Sequence, residues 1–522
     1  MKLCIFGTHP IQTNGYSRVV HELGCELAKY DDLELCVFGF QKFHEIGGGH
    51  RQNFPFAKVH VYDAWANEEP KQAGFGIDQI VDYMKVTKPD MVCIYNDMSI
   101  ISAVVAKLED YKEQTKNPLK ILIYADMVYL CQRKQYIDML NKYADAVMCF
   151  TPYWQDIAKG LGVTKPLCNL MHGINAQEIY PIDKAVARRF FNLSPDDFIV
   201  LNVNRNQPRK RWDLCLQAFA EVLVTHKDEP IKLLIGTAIQ GGWNLVELYE
   251  RELGKRGISF EEGMRHVIVL DNPQKVSDFD NNTLYSVADV GINTCDGGGV
   301  ELGTFESAAL GIPQVASWVG GIKEFLTDDC ANLAKPVMTY YVDTSRDMVC
   351  GEAELCDYRD YARGIIDYYE NAAKRADHGR KTRQNILTKY PWSKIAAKLR
   401  GIALAVHEGR DVSVVTGEDP APAARTKPAR KKALDAADAA RMQALREELD
   451  KLMAKTQDPD DSNPDSDPTP RRDSHGRTLL PVVEEEDSET GSETETGTET
   501  SSSCADSSSD WDVTEEPTLA VQ

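Results

Sequence analysis

Along the first 150 residues, short apolar runs alternate with longer amphipathic stretches. The runs are KLCIFG, LELCVFGF, KVHVYD, MVCIYND, ILIYAD and AVMCFT. Each falls before a longer amphipathic or polar stretch, a rhythm that predicts parallel strands joined by crossover helices. The rhythm pauses through INAQEIYPIDKAVARRFFNLSPDD and resumes with FIVLNVN, IKLLIGT, HVIVLD, VGINT and PQVAS. Residues 173–185, with a Gly, a Pro and no long apolar run, read as an interdomain linker. The prediction is therefore α/β: two doubly wound Rossmann-like domains, residues 1–178 and 179–392, facing across a cleft. Open sheets of this kind bind ligands at the carboxyl ends of their strands, so the chemistry is expected in that cleft.

YPWSKIAAKLRGIALAVHEG predicts a last helix of the folded body, residues 393–409. The texture then changes to a Pro, Ala and charge-rich linker from residue 410. Within about 431–456, Met442, Leu445, Leu449 and Leu452 keep heptad spacing, but Asp435 and Asp438 occupy the same seam. That leaves about two heptads where a stable coiled coil wants three or four, so an isolated amphipathic helix is expected. The remainder is Asp/Ser/Pro-rich and then Glu/Ser/Thr-rich, the composition of a disordered acidic tail.

The net charge of −21 is mostly tail: from Thr478 onward there are thirteen Asp/Glu and no Lys/Arg, which leaves −8 for the rest. Such a body does not offer the clustered cations that a nucleic-acid backbone demands. Of thirteen cysteines, Cys4, Cys36, Cys93 and Cys149 fall inside strand-like runs, where a reduced thiol acts as a small hydrophobe. No apolar run approaches the ~20 residues of a membrane span, and KLCIFG is too short for a signal-peptide core. A cytoplasmic address without a transmembrane segment is the expectation.

Two loops carry candidate chemistry. In CDGGGVELGTFESAALGIPQ, a strand leads through a glycine turn into a helix that stops at Gly311, with Pro313 beyond it. Free backbone amides and the positive helix end there suit an oxygen-rich or anionic ligand, and Glu306 lies within reach of its hydroxyls. A tight turn with an exposed helical glutamate explains the spacing equally well. In NVNRNQPRKRWDLCLQAFAEVL, Arg205, Arg209, Lys210 and Arg211 follow a strand end and precede an amphipathic helix starting near Trp212. Cations in that position suit a diphosphate, although a solvated surface loop reads the same in isolation. Both loops leave strand ends of one domain, which favours a shared ligand.

At these residues the sequence resembles the retaining glycosyltransferases of the GT-B type, in the "group 1" or family-four class. The likeness spans roughly residues 1–408 and is stronger in the second half. It implies transfer of a sugar from a nucleotide diphosphate-sugar to an acceptor hydroxyl with retention, no metal and no further cofactor. Arg205 and Lys210 match the family's Arg and Lys directed at the donor diphosphate. FESAALGIPQV matches the second half of its Glu, seven residues, Glu motif, so Glu306 would hold the nucleotide ribose. Gly298 stands where the first glutamate belongs, and Asp296 or Glu301 would substitute. By the same resemblance Gly298, Gly299, Val300, Glu301 and Leu302 line the donor, Gly15 in QTNGYS approaches the diphosphate, and YPWSKIAAKL crosses back to the first domain. Where relatives carry a strand-end His, this chain has Asp126, a candidate for the acceptor or sugar side and equally for a simple cap.

The resemblance leaves the donor base, the sugar and the acceptor open, the last being a glycan, lipid or protein. It also leaves two rivals. One is an epimerase on the same fold. The other is a non-catalytic descendant that binds a nucleotide sugar or a partner, for which Gly298 and the acidic tail speak. DFD at 278–280 and GGGH at 47–50 lack the context of a metal or dinucleotide motif, and His50 and His172 read as ordinary loop histidines.

Overall fold

The computed structural model describes residues 1–42, 51–69, 73–270, 278–343 and 350–416. GGGH with His50, the amphipathic segment at 431–456 and the acidic tail lie outside the described residues, as do the side chains of Asp278 and Asp280.

The first half builds a wholly parallel sheet from β1 (Lys2–Thr8), β2 (Glu34–Phe40), β3 (His60–Asp63), β4 (Met91–Asp97), β5 (Lys120–Asp126), β6 (Ala146–Cys149) and β7 (Leu167–Asn169). Its order is β3-β2-β1-β4-β5-β6-β7. The apolar runs are strands because both faces are covered: from Leu3 to Phe6 and from Ile121 to Ala125 every side chain is at most 1 % exposed. The second half repeats the design with β8 (Phe198–Asn202), β9 (Ile231–Ile235), β10 (Val267–Val269), β11 (Val290–Asn293), β12 (Gln314–Ser317) and β13 (Asn332–Ala334), in the order β10-β9-β8-β11-β12-β13. The architecture is the anticipated pair of doubly wound α/β domains. Order reverses beside β1 in one sheet and beside β8 in the other, and those switch points hold both candidate loops.

Two connections tie the halves together. Ile174, on the way into the second domain, pairs with Pro391 on the way out. The helix Trp392–Glu408 then lies against the first domain, where Arg400 pairs with Asp32 and Lys398 donates to Asn169 at 3.0 Å. Ile174 and Ile179 are buried, so the segment read as a linker contributes to the core.

An antiparallel hairpin, β14 (Pro336–Val342) and β15 (Gly351–Cys356), has no counterpart in the sequence reading. It reaches from the second domain to the segment after β5: Leu130 N donates to Glu352 O at 2.9 Å, and Val128, Tyr129, Val342 and Ala353 form a separate small core. None of the described cysteines is in a disulfide, and no described helix is long and apolar enough to cross a membrane.

Candidate functional site

The cation loop owes its shape to Trp212. This ring is fully buried at the head of helix Trp212–His226, and its Nε1 donates to the carbonyls of Asn204 and Arg205, both at 3.3 Å. Pro208 opens a short 3₁₀ turn, Pro208–Lys210, and Arg211 leaves it at φ +49° to start the helix. The glycine loop is pinned to the cation loop from beneath. Thr294 Oγ1 donates to the carbonyls of Lys210 and Arg211 at 3.0 Å, and Asp296 N donates to Arg209 O at 3.1 Å. One wall of the cleft thus carries both sequences.

Lys210 and Glu301 meet at the centre of that wall. The Lys210 ammonium lies 2.6 Å from both Glu301 oxygens, and the two side chains are only 8 % and 5 % exposed. Asn293, at the end of β11, adds a third hydrogen bond to the carboxylate at 3.2 Å. Burial alone would raise the Glu301 carboxyl, but Lys210 and Arg209 outweigh it and hold it below the ordinary carboxylate value. The solvated-loop alternative does not hold for Lys210: it is buried because this ion pair takes the place of water around it. Arg205 keeps an exposed surface, yet the packing around its guanidinium and the neighbouring Arg209 hold it below its ordinary value, against the opposing pull of Tyr16, Glu301 and Asp97.

Glu301 also has an unusual backbone. As the residue before helix Leu302–Ala309 it sits at φ +65° and ψ +69°, a left-handed conformation that costs a non-glycine residue roughly 1 kcal/mol or more. The conformation aims its side chain at position 298. A Cβ on Gly298 would collide with Glu301 Oε1, so the Glu301 carboxylate fills the space that a side chain at 298 would enter. Asp296 is engaged elsewhere, accepting from the Tyr340 hydroxyl and lying 3.6 Å from Arg211.

The opposite wall comes from the first domain. Gly15 opens helix Gly15–Leu27 behind an Asn14 capping box, and a Cβ on it would lie 3.1 Å from the Leu302 side chain. Two helix N-termini therefore face each other. One turn on, Arg18 Nε lies 3.0 Å from Glu306 Oε1, while the Tyr285 hydroxyl donates to Glu306 Oε2 at 3.2 Å. Glu306 is 5 % exposed, which removes the reading of it as a surface glutamate. Gly299 is pressed by the first domain as well: Trp154 Nε1 donates to its carbonyl at 3.0 Å, and a Cβ there would meet Asp126 and approach Phe150 Cε2 to 2.6 Å. These glycines serve the close approach of the two domains. Val300, 3 % exposed, continues that buried surface.

Asp126 ends β5 beside Asp97 at the end of β4, the two being register partners. The Tyr16 hydroxyl lies 2.7 Å from Asp97 Oδ1 and 2.6 Å from Asp126 Oδ2. Burial and the neighbouring Asp97 push the Asp126 carboxyl up to about 7, against Tyr16 and Arg209. Neither Asp97 nor Tyr16 was singled out in the sequence, though MVCIYND and ILIYAD end in matching strand-end aspartates, which is the signal that could have found the first. His172, buried between Phe150 and Trp392, is pushed down to about 3 and is a neutral core residue. Among the described residues no three His, Cys, Asp or Glu side chains gather as a metal site.

No family model matches the chain. D-inositol 3-phosphate glycosyltransferase 2 of Catenulispora acidiphila is 26 % identical over 228 residues, which cover 43 % of this chain and 47 % of that protein. The chain thus spans about half the length of the curated relative it matches. Among solved structures, sucrose-phosphate synthase of Thermosynechococcus elongatus superposes with a TM-score of 0.60 at 16 % identity, over 78 % of this chain and all of that one. Anabaena HepE, solved in complex with UDP-glucose, gives 0.55 at 13 % identity over the same shares. The chain has the GT-B fold of these structures and is similar in sequence to a glycosyltransferase.

Proposed function

We propose that the protein transfers a sugar from a nucleotide diphosphate-sugar to an acceptor hydroxyl, with retention at the anomeric carbon and without a metal. The observation that carries this reading is the single wall on which Arg205, Lys210, the glycine turn and buried Glu306 converge. The reading is supported further by the kinship with a glycosyltransferase and by a neighbour that binds UDP-glucose.

In this reading Arg205 and Lys210 take up the charge that builds on the departing diphosphate, each worth about 3 kcal/mol when well placed. The amides opening helix Leu302–Ala309 assist them, Glu306 takes the ribose hydroxyls, and Gly15 closes over the phosphates. A diphosphate brings more negative charge to Lys210 than Glu301 does. It competes for the ammonium and leaves Glu301 to accept from the sugar, at the place that Gly298 vacates. Asp296, held by Tyr340 and Arg211, then supports the hairpin and not the sugar. This use of Glu301 answers the non-catalytic alternative, because position 298 is not left without a carboxylate. The site lies in the body of the chain and the reaction needs no membrane span, which fits a cytoplasmic enzyme.

The test is a thermal-shift titration with nucleotide sugars and bare nucleoside diphosphates, followed by product analysis with a labelled donor. A true donor at 100 times its dissociation constant adds ~2.7 kcal/mol of stability. Transfer with retained anomeric configuration, unchanged by a chelator, is the expected result. Absence of binding to every nucleotide overturns the reading, and an epimerised donor reassigns the reaction.

A further inference from the structure

Arg18 is the fourth residue of helix Gly15–Leu27, close to its positive end, where a cation gains nothing from the peptide dipoles. What it meets lies across the cleft. Its Nε is 3.0 Å from Glu306 Oε1, and the two side chains are only 9 % and 7 % exposed. The Tyr285 hydroxyl donates to the other oxygen, Oε2, at 3.2 Å. Glu306 is thus held at both oxygens, once from its own domain and once from the first.

Glu22, one turn further along the same helix, is placed to compete for the Arg18 guanidinium. At neutral pH it does not. Burial and the neighbouring Glu178 push the Glu22 carboxyl up to about 8, against Arg18 and Asn175. The Asn175 amide, on the segment that crosses between the domains, lies 3.5 and 3.4 Å from the two Glu22 oxygens. Glu22 therefore stays neutral, and Arg18 directs its charge to Glu306.

A nucleotide entering the cleft leaves that pairing in place. A bond from a guanidinium to a carboxylate is roughly twice as strong as one from a neutral hydroxyl, so a ribose cannot displace Arg18. A carboxylate oxygen accepts more than one hydrogen bond, so ribose hydroxyls can join Arg18 and Tyr285 on the same group. With both oxygens fixed, the plane of the carboxylate is fixed too, and with it the direction from which vicinal hydroxyls are received.

We propose that Arg18 is a positioning residue of the donor site: it orients the Glu306 carboxylate from the opposite domain, so that recognition of the ribose depends on the first domain as well as the second. The inference rests on the glycosyltransferase reading, which gives the ribose to Glu306, and adds a residue to which that reading assigns no role.

The experiment is calorimetric titration of the full chain with UDP, GDP and ADP and with their 2′,3′-dideoxy counterparts. The parent is expected to bind at least one ribonucleotide roughly tenfold tighter, or more, than its dideoxy form. Arg18→Met should weaken that ribonucleotide by about fivefold or more and leave the dideoxy form within about twofold of the parent. Arg18→Lys, which keeps the charge without the planar fork, should recover part of the difference. Added to Glu306→Gln, Arg18→Met should weaken the ribonucleotide no further, since it acts only through that carboxylate. Should Arg18→Met not fold, Arg18→Lys and the double variant, in which no carboxylate is orphaned, carry the test. Equal weakening of both nucleotide forms marks a merely structural role and overturns the inference. So do tighter ribonucleotide binding by Arg18→Met, which would make Arg18 a competitor of the ribose, and a parent without preference for the ribose. Failure of every nucleotide to bind overturns the glycosyltransferase reading as well, which separates the two failures.

Discussion

Replacing Lys210 with Met is the most informative single change, because it takes the bonded cation from a buried carboxylate and leaves Glu301 only the Asn293 hydrogen bond and the field of Arg209. Breaking such a pair from one side costs about 3–5 kcal/mol. Glu301 can limit the loss by taking up a proton. From an ordinary value near 4.3 to pH 7 that escape costs about 2.7 × 1.36, or ~3.7 kcal/mol. At pH 5 the same escape costs only about 1 kcal/mol. The sign follows from linkage: in the variant, the folded-state carboxyl lies above its unfolded value, so the penalty is absent below the unfolded value and grows as pH rises. Lys210→Met should therefore lose ~3–4 kcal/mol at pH 7 and far less at pH 5. In a domain of this size that is a fall in Tm of roughly 6–15 °C at neutral pH. Adding Glu301→Gln removes the orphaned charge and should restore most of the loss. Differential scanning calorimetry of parent, single and double variants at the two pH values measures it. If single and double variants melt alike, or if the single variant's deficit is the same at both pH values, the pair is not the buried unit described.

Gly299→Ala should cost about 1–3 kcal/mol by overpacking and spread the two domains, because its new methyl meets Asp126 and Phe150 of the opposite wall; small-angle scattering and melting read the two effects. Glu306→Gln should weaken nucleotide sugar and bare nucleoside diphosphate alike by one to two decades, measured by calorimetric titration, since it loses a charge-assisted bond to the ribose. Asp126→Asn should gain stability over the parent as pH rises from about 4 to about 8 and none below that window, because the raised carboxyl must otherwise ionise in a buried site; urea melts across pH check it. A chain ending at residue 416 should keep its melting temperature and nucleotide affinity, since every site residue named here lies before it.

Most strands were legible because a strand covered on both faces needs an unbroken apolar run, as in KLCIFG and ILIYAD, while the edge strands β3 and β10 are only partly covered. β7 and β13 escaped because each is three residues long and carries an asparagine, LCN and NLA, where the equally short β10 reads VIV. The hairpin escaped for a different reason: PVMTYYV mixes exposed Val337, Met338 and Tyr341 with buried Val342, a pattern set by what it docks against. In the site, residue type, spacing and the family resemblance together singled out Arg205, Lys210 and Glu306, and the structure brings all three to the meeting of the two domains. Their partners were not legible, because Arg18, Tyr16 and Asp97 reach them only through the meeting of two domains. Spacing also could not choose between Asp296 and Glu301. That choice depends on the left-handed backbone at Glu301 and on Tyr340, a residue of the unforeseen hairpin.

The return of the last helix has a consequence for how the molecule can be cut. Helix Trp392–Glu408 belongs to the first domain in space but follows the second in sequence. Severing the chain between the sheets therefore yields no intact half: a fragment ending near residue 172 would bare the part of helix Gly15–Leu27 that the returning helix covers. Yet the Met1 amino group donates to Asp32 O at 3.1 Å, and Arg400 grips the same aspartate, so the start of the chain lies alongside its returning helix. Joining the end of the helix to Met1 by a short linker and opening the chain at Pro391 would make the first domain continuous. The two lobes would then be joined by one crossing instead of two, turning a paired hinge into a single tether.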